Sequence, residues 1–508
     1  MATGSRVDAS RLEAGGRAAR SLKILLVTPP YHAGVVEAAG VWMNVGYAYL
    51  AGAVRARGHE VEIYDAMSLW HDEATVRKEI ARKKPDVVGL TAVTASSVSA
   101  LRICQFAKED LPGVVTVLGN VHPTFLWREI LNGHGNAVDY IVRGEGEETF
   151  TELCDAIAAK ANPSKVAGIA FRMDGQPFAT PRRPTIADLD TLQPAWDCID
   201  WPTYTYRPHA GSRLAVVSSS RGCQMQCSFC SQQLFWKRTW RGLSPERFVG
   251  QLEHLAHTYG VNVAMLSDET PTVDRARWEK ILDLLIERDL GMELLMETRV
   301  DHILRDEDIL GRYRKAGISH IYVGVEATSQ ATLDTFKKDI SVEQSRRAIQ
   351  QINAHDMVSE TSFVLGMPDE TPERIAATIE LAKHYAPDLA FFLAIAPWPY
   401  AELYAELKPY LATDDYSRFN LVEAVVKPTA MTIEQLNGEL AKAAHIFYSD
   451  KLKNLRSLPA GKQDFMLKVM KILANHSYLA DKMKGIEREM PEEVRRALHA
   501  ANVSIPSD

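Results

Sequence analysis

Short, mostly apolar runs alternate with longer segments whose apolar residues recur every three or four positions. Lys23 to Thr28 (KILLVT) is one such run and ends in Pro29-Pro30. Trp42 to Arg57 repeats apolar residues at helical spacing through Tyr47, Leu50 and Val54, and Gly58 stops it. Further strand-like runs follow at Val61–Tyr64, Asp86–Thr91, Val114–Leu118 and Tyr140–Val142, with helical patterns at Glu73–Lys83 and Val98–Asp110 between them. Strands that read as apolar runs are buried on both faces. This order therefore predicts an α/β unit over about residues 21–150, a Rossmann-like parallel sheet covered by helices.

The alternation resumes over about 214–400. Leu214–Ser219, Val263–Leu266, Glu293–Glu297, Ile321–Val325, Ser362–Leu365 and Leu389–Ile395 read as strands with helices between them. Six strand–helix units predict a partial (β/α)6 barrel, in which functional residues gather after the carboxyl ends of the strands. Residues 151–213 read as an irregular linker, with a helix at Glu152–Ala161, a β patch at Gly168–Phe171 and prolines at 181, 184, 194 and 202. Residues 401–508 read as a helical C-terminal region. Ile433, Leu436, Leu440 and Phe447 form one apolar stripe there, and Phe465, Val469, Ile472 and Leu473 another, both expected to be core packing. Residues 1–20 are polar and Ala/Gly/Arg-rich, a disordered lead rather than a signal peptide.

Composition narrows the class. A length of 508 residues suits about three domains. The net charge of −7 gives no reason to expect a nucleic-acid partner. No apolar stretch reaches the ~20 residues that span a bilayer. Three of the six cysteines share one loop, and Cys104, Cys154 and Cys198 are scattered, which makes no disulfide framework and points to the reducing cytoplasm.

Cys223, Cys227 and Cys230 carry the strongest chemical signal, spaced C-x3-C-x2-C after the first barrel strand. Four thiolates complete the ligation of a four-iron cube; three leave one iron open to a small molecule, as an enzyme needs and an electron carrier does not. A zinc site or three unrelated thiols are the alternatives. Structural zinc takes four Cys or His ligands, and the nearest downstream histidine is His254, beyond a predicted helix.

Polar residues follow nearly every other barrel strand. Asp268 and Glu269 suit a cationic group in a partly desolvated site, or cap a helix. Arg299 suits a carboxylate or phosphate. Gly324 permits close backbone approach, and Glu326 fits a ribose hydroxyl or pairs with Arg299. Gly366-Met367-Pro368 suits the face of an adenine. Trp398 and Tyr400 line a substrate pocket or finish the core edge. In the first unit, Thr91, Thr94, Ser96 and Ser97 cluster after one strand, Gly119-Asn120-Val121-His122 after the next, and Arg143-Gly144-Glu145-Gly146-Glu147 after the last. Small and hydroxyl-bearing residues at strand ends suit a large cofactor across the sheet edge. That pattern alone fits a flavin or response-regulator fold equally well.

The strand, cysteine loop and following helix resemble those of the radical S-adenosylmethionine (SAM) superfamily. Residues 22–430 resemble its cobalamin-binding branch, and within it the anaerobic magnesium-protoporphyrin IX monomethyl ester cyclase family. The matching stretches include PPYHAGVVEAAGVW at Pro29, VDYIVRGEGEETF at Val138, RGCQMQCSFCSQ at Arg221, TRVDHILRDE at Thr298, GVEATSQATLDTFKK at Gly324 and APWPY at Ala396. The resemblance implies a [4Fe-4S] cluster on Cys223, Cys227 and Cys230. It implies SAM binding by Asp268, Glu269, Arg299, Glu326 and Gly366, although the superfamily's Gly-Gly-Glu is replaced by Ser267-Asp268-Glu269. It implies cobalamin over the first sheet, near Thr91, Thr94, Ser96, Gly119, His122, Gly144 and Glu145. No Asp-x-His-x-x-Gly occurs, so cobalt would lack a lower histidine ligand. His122 either touches the corrin or is a hydrogen-bonded loop histidine.

The chain departs from the cyclase pattern at Val41–Val45, Ser96-Ser97 and Gly119-Asn120, which suggests a different substrate. The activity implied is methyl transfer to an unactivated carbon, or to a phosphinate phosphorus, through a 5′-deoxyadenosyl radical and methylcobalamin. An oxidative ring closure of the cyclase type is the alternative enzyme, and a corrin and iron–sulfur redox sensor the non-enzymatic one. The implied partners are a small-molecule substrate and an electron donor such as flavodoxin or ferredoxin. No residue stands out as a catalytic acid or base.

Overall fold

A computed structural model describes residues 20–33 and 39–476. All of the polar lead but Arg20, part of the stretch at Pro29, and residues 477–508 lie outside the described residues. The first unit contains β1 (Lys23–Thr28), a two-residue β2 (Gly40–Val41), β3 (Glu60–Asp65), β4 (Val87–Thr91), β5 (Val115–Gly119), β6 (Tyr140–Val142), β7 (Ile169–Met173) and β8 (Gln176–Ala179). Seven of these form one sheet in the order β3-β1-β4-β5-β6-β7-β8. The first five are parallel, and β7 and β8 add an antiparallel hairpin to the β6 edge. Leu25, Val27, Val88 and Leu90 face one helical layer; Ile24, Leu26, Val87 and Val117 face the other. Apolar residues on both faces of each strand are why the strands read as runs rather than alternations.

The linker expected over 151–213 is corrected at its start. Its helix begins earlier, at Glu147–Ala158, and buries Phe150, Leu153 and Cys154 on the sheet. Its β patch is β7, held because Ile169 and Phe171 complete the same core. The irregular segment begins only after β8. It returns to the N-terminal part of the chain through β9 (Thr205–Tyr206), antiparallel to β2.

The second unit is a six-stranded parallel sheet of β10 (Leu214–Val217), β13 (Val263–Leu266), β14 (Glu293–Arg299), β15 (Ile318–Gly324), β16 (Val358–Leu365) and β17 (Leu389–Ala394), in that order. β10 and β17 do not pair with each other, so the barrel is partial. Between β10 and β13 the chain makes a short antiparallel pair, β11 (Ser220–Gly222) with β12 (Trp240–Gly242). Helices cover the outside; Arg275–Arg288, capped by Asp274, buries Trp278, Ile281, Leu282 and Leu285 at helical spacing. Each such side chain contributes about 1.5–3 kcal/mol on burial.

Both C-terminal stripes do pack on the barrel. Helix Ile433–Lys453 starts with a Thr432/Gln435 capping box and buries Leu436, Leu440 and Phe447. In helix Ala460–His476, Lys462 pairs with the buried Asp388 at 2.6 Å, and Phe465 reaches the His320 ring edge-on. No helix of the described residues is long and apolar enough to cross a membrane.

Candidate active site between the two units

The cysteine loop leaves β11 at Gly222, whose φ is +99°. A Cβ there would lie 2.1 Å from the Thr239 carbonyl oxygen, so only glycine lets β11 and β12 close at this point. Asp268 is fully buried and accepts from the Ser219 N–H and Oγ, each at 2.8 Å, and from Ser220 Oγ. Glu269 accepts from the Gly222 N–H at 3.2 Å and Trp236 Nε1 at 2.7 Å. The two acids thus grip both ends of β11. Burial pushes both carboxyls up in pKa, against the pull of these hydrogen bonds. Asp268 and Glu269 therefore brace the loop, a role their residue types alone did not disclose.

The rest of the loop is pinned from the other side. Ser228 donates its N–H to the Phe336 carbonyl at 2.9 Å and its Oγ to Thr335 at 2.8 Å, and the Leu403 N–H returns to Ser228. Phe229 packs on Phe336. Cys227 is buried, with Cys223 and Cys230 partly so, and the Gln232 N–H points at Cys230 Sγ. Burial raises the Cys227 thiol, while Lys338 and Arg299 oppose the rise. Among the described residues no three Cys, His, Asp or Glu groups converge as on a single ion. A cube carries its thiolates on separate irons, and three thiols in one loop anchored at Gly222, Ser228 and Phe229, with Lys338 and Arg299 near Cys227, fit that donor set.

Glu326 has φ +66°, a strained conformation for a non-glycine residue. Its carboxylate meets Lys338 Nζ at 2.8 Å and Ser362 Oγ at 3.2 Å. Of the two readings of Glu326, the pair with Arg299 is not formed: Arg299 turns to Asp301 at 2.8 Å. Gly324 makes room for the Glu326–Lys338 pair; a Cβ would lie 2.7 Å from both charged atoms. Lys338 was not foreseen, since it lies beyond the strand end in a polar stretch. The Gly366 N–H donates to Glu370 at 3.1 Å, and Gly366 packs against Leu436.

The first sheet's carboxyl edge faces this loop across a cleft of about 290 Å³. Thr91, Gly119, Asn120 and Gly144 line it from the sheet; Ser220, Arg221 and Glu269 line it from the barrel. A Cβ on Gly119 or Gly144 would meet nothing closer than 4.0 Å, so both leave open space above the sheet. A floor of small residues with hydroxyls at its rim fits the tail of a large cofactor. Other expected residues have protein partners of their own. Ser96 Oγ accepts from the Val93 N–H at 3.1 Å within its own turn. Thr94 bonds Tyr400 Oη at 2.8 Å, and Tyr400 stacks on Phe125, so the APWPY stretch joins the two units. His122 is 2% exposed, sits 3.3 Å from Thr94 Oγ1 beside the Tyr400 and Tyr416 rings, and is not among the cleft residues. Burial pulls its pKa down to about 4.

Glu145 and Glu147 form a buried cross-unit ion network. Arg221 reaches Glu145 at 3.0 Å and Glu147 at 2.6 Å; Arg241 reaches Glu145 at 3.0 Å. Burial opposes the Arg221 charge, but Glu147 and Glu145 outweigh it and raise its pKa. The Glu145 carboxylate also accepts from the Ile186 N–H, so it is committed to this clamp while lining the cleft.

Inside the barrel lies a second, larger chamber of about 480 Å³, mostly apolar and floored by Phe465, Val469 and Ile472. Glu297 lines this chamber. Burial, and then Glu269, Asp268, Glu326 and Glu360, push its carboxyl up to about 8. Val216 and Met265 line the chamber, and Ser218 and Ser267, two residues further along the same chain segments, line the cleft, so the two spaces lie side by side.

The B12 binding domain family matches residues 31–154, and the Radical SAM superfamily matches 217–382. The chain is 38% identical over 435 residues to the anaerobic magnesium-protoporphyrin IX monomethyl ester cyclase of Rubrivivax gelatinosus, covering 85% of this chain and 78% of that one. It is 32% identical over 431 residues to an uncharacterized methyltransferase of Pyrococcus horikoshii, covering 84% and 92%. Among solved structures, the radical SAM methyltransferase TsrM from Kitasatospora setae, with cobalamin and a [4Fe-4S] cluster bound, superposes at a TM-score of 0.68, 16% identity and 96% and 100% coverage. The cobalamin-dependent radical enzyme OxsB does so at 0.67, 16% identity and 92% and 75% coverage. The chain belongs to the cobalamin-binding radical SAM family. It is an enzyme whose cofactors are cobalamin, a [4Fe-4S] cluster and SAM.

Proposed function

We propose that this enzyme transfers a methyl group to an unactivated carbon of a small molecule held in the barrel chamber; a phosphinate phosphorus is the other acceptor of matching chemistry. The observation that carries this reading is the mostly apolar chamber set directly beside the cofactor cleft. Excluding water protects reactive carbon centres from side reactions. A ring closure that adds oxygen would have to bring water into that space. Cys223, Cys227 and Cys230 would hold the cluster, Glu269, Glu326, Lys338 and Arg299 would surround SAM, and Thr91, Gly119 and Gly144 would receive the cobalamin tail. Together these cofactors supply one-electron chemistry and a transferable methyl group. Asp268 and the Arg221–Glu147 clamp keep the cysteine loop registered against the first sheet.

Oxidative cyclisation of a porphyrin-like ring is the second reading, favoured by the 38% identity to the Rubrivivax gelatinosus cyclase over most of both chains. Six free cysteines and an oxygen-sensitive centre suit a reducing cytoplasm. Flavodoxin or ferredoxin would supply electrons. Anaerobic reconstitution with iron, sulfide and cobalamin, then incubation with SAM and candidate metabolites, separates the readings by product mass. A gain of one CH2 supports methyl transfer. A ring closure with added oxygen overturns it in favour of the second reading.

A further inference from the structure

We propose that the barrel chamber accepts a hydrophobic small molecule with a neutral or cationic polar head and turns away hydrophobic anions. This inference rests on the chamber being the substrate site. Its volume of about 480 Å³ lies within the ~300–1,000 Å³ of small-molecule pockets. Its walls are hydrocarbon, Val216, Met265, Leu295 and Phe391 among them. One polar strip crosses β14 to β16, where Glu297, Tyr322 and Glu360 stand in register. Two of the three are partnered: Tyr322 Oη with Ser362 Oγ at 2.5 Å, and Glu360 with His320 Nε2 at 2.7 Å. Glu297 has no side-chain hydrogen bond or ion pair among the described residues, so its carboxyl is the group left for a ligand.

The charges that act most on Glu297 are acidic, namely Glu269, Asp268, Glu326 and Glu360. Lys338, the cation beside them, is already held by Glu326. A carboxyl raised to about 8 keeps its proton at neutral pH and donates to a carbonyl or hydroxyl. An ammonium head would take that proton's place and pair with the carboxylate. An anionic head would find no free cation among the described residues and a field of its own sign, so this selection favours the carbon acceptor over the anionic phosphinate.

Equilibrium dialysis of the full-length, reconstituted enzyme tests this with two probes that share an aromatic body. They are neutral N-phenyl-1-naphthylamine and anionic 8-anilino-1-naphthalenesulfonate. The neutral probe should be retained at one site, with the sulfonate at least about tenfold weaker. Leu295→Trp, which fills the chamber, should abolish retention of the neutral probe, and Met265→Phe serves if that variant does not fold. At about pH 9, where the native Glu297 carboxyl has lost its proton, Glu297→Gln should keep the neutral probe and shrink the sulfonate's disadvantage to about threefold or less. Equal retention of both probes, or neutral binding that survives both filled variants, overturns the proposal. Probe retention needs no turnover. A chain that selects probes but never methylates overturns the proposed reaction alone, and one that methylates but does not select overturns this inference alone.

Discussion

A methyl group on Gly222 has nowhere to go. Gly222→Ala places it 2.1 Å from a carbonyl in a left-handed conformation, at a cost of about 1–3 kcal/mol. A thermal melt should show that loss, and iron content after reconstitution should fall with it. By contrast, Cys223→Ala, Cys227→Ala or Cys230→Ala should leave the melt of the cofactor-free chain nearly unchanged and abolish the cluster's visible absorbance and SAM cleavage. Glu297 makes a pH prediction. Its folded pKa of about 8 stands above its ordinary value of 4.5, so across that window the folded chain binds more protons than the unfolded one. Stability at this site is therefore lost as pH rises from 4.5 to about 8. The stability difference between the native chain and Glu297→Gln should decline by about 1.4 kcal/mol per pH unit there, measured by urea titration. The thiols were legible because their spacing is itself the chemistry. Asp268 and Glu145 were not, because a carboxylate looks the same whether it meets a ligand or a serine and an arginine brought to it by folding.

At the scale of elements, the long strands were readable, and Lys23–Thr28, Tyr140–Val142 and Val263–Leu266 fall where the apolar runs lie. β11 and β12 were not. Ser-Arg-Gly and Trp-Arg-Gly show neither an apolar run nor an alternation, and only tertiary contacts make them strands. These strands carry Arg221 and Arg241 into the clamp. Glu147→Gln leaves Arg221 short of a counter-charge in a buried place, which should cost about 3–5 kcal/mol in a denaturation experiment. Arg221→Met combined with Glu147→Leu should recover much of that loss, since removing both charges also removes their desolvation cost.

Across the whole molecule, the first sheet and the barrel share the clamp, the Thr94–Tyr400 bond and one cofactor cleft. Calorimetry of the native chain should therefore give one main transition, and Glu147→Gln should split it in two. The number of layers and the partial barrel followed from the order of strands and helices. The chamber floor did not: an amphipathic stripe announces that it is buried, not what space it closes. Lys462→Met, which strands Asp388 behind that floor, should cost about 3–5 kcal/mol and loosen the helix it anchors. That helix also leaves the ribosome after all six barrel strands. Until it arrives, the nascent barrel stands uncorked, with Met265, Leu295 and Phe391 wetted from below. A chain stopped before residue 460 would then be a sticky shell, and the codons of this one helix decide whether a greasy guest has a room to enter.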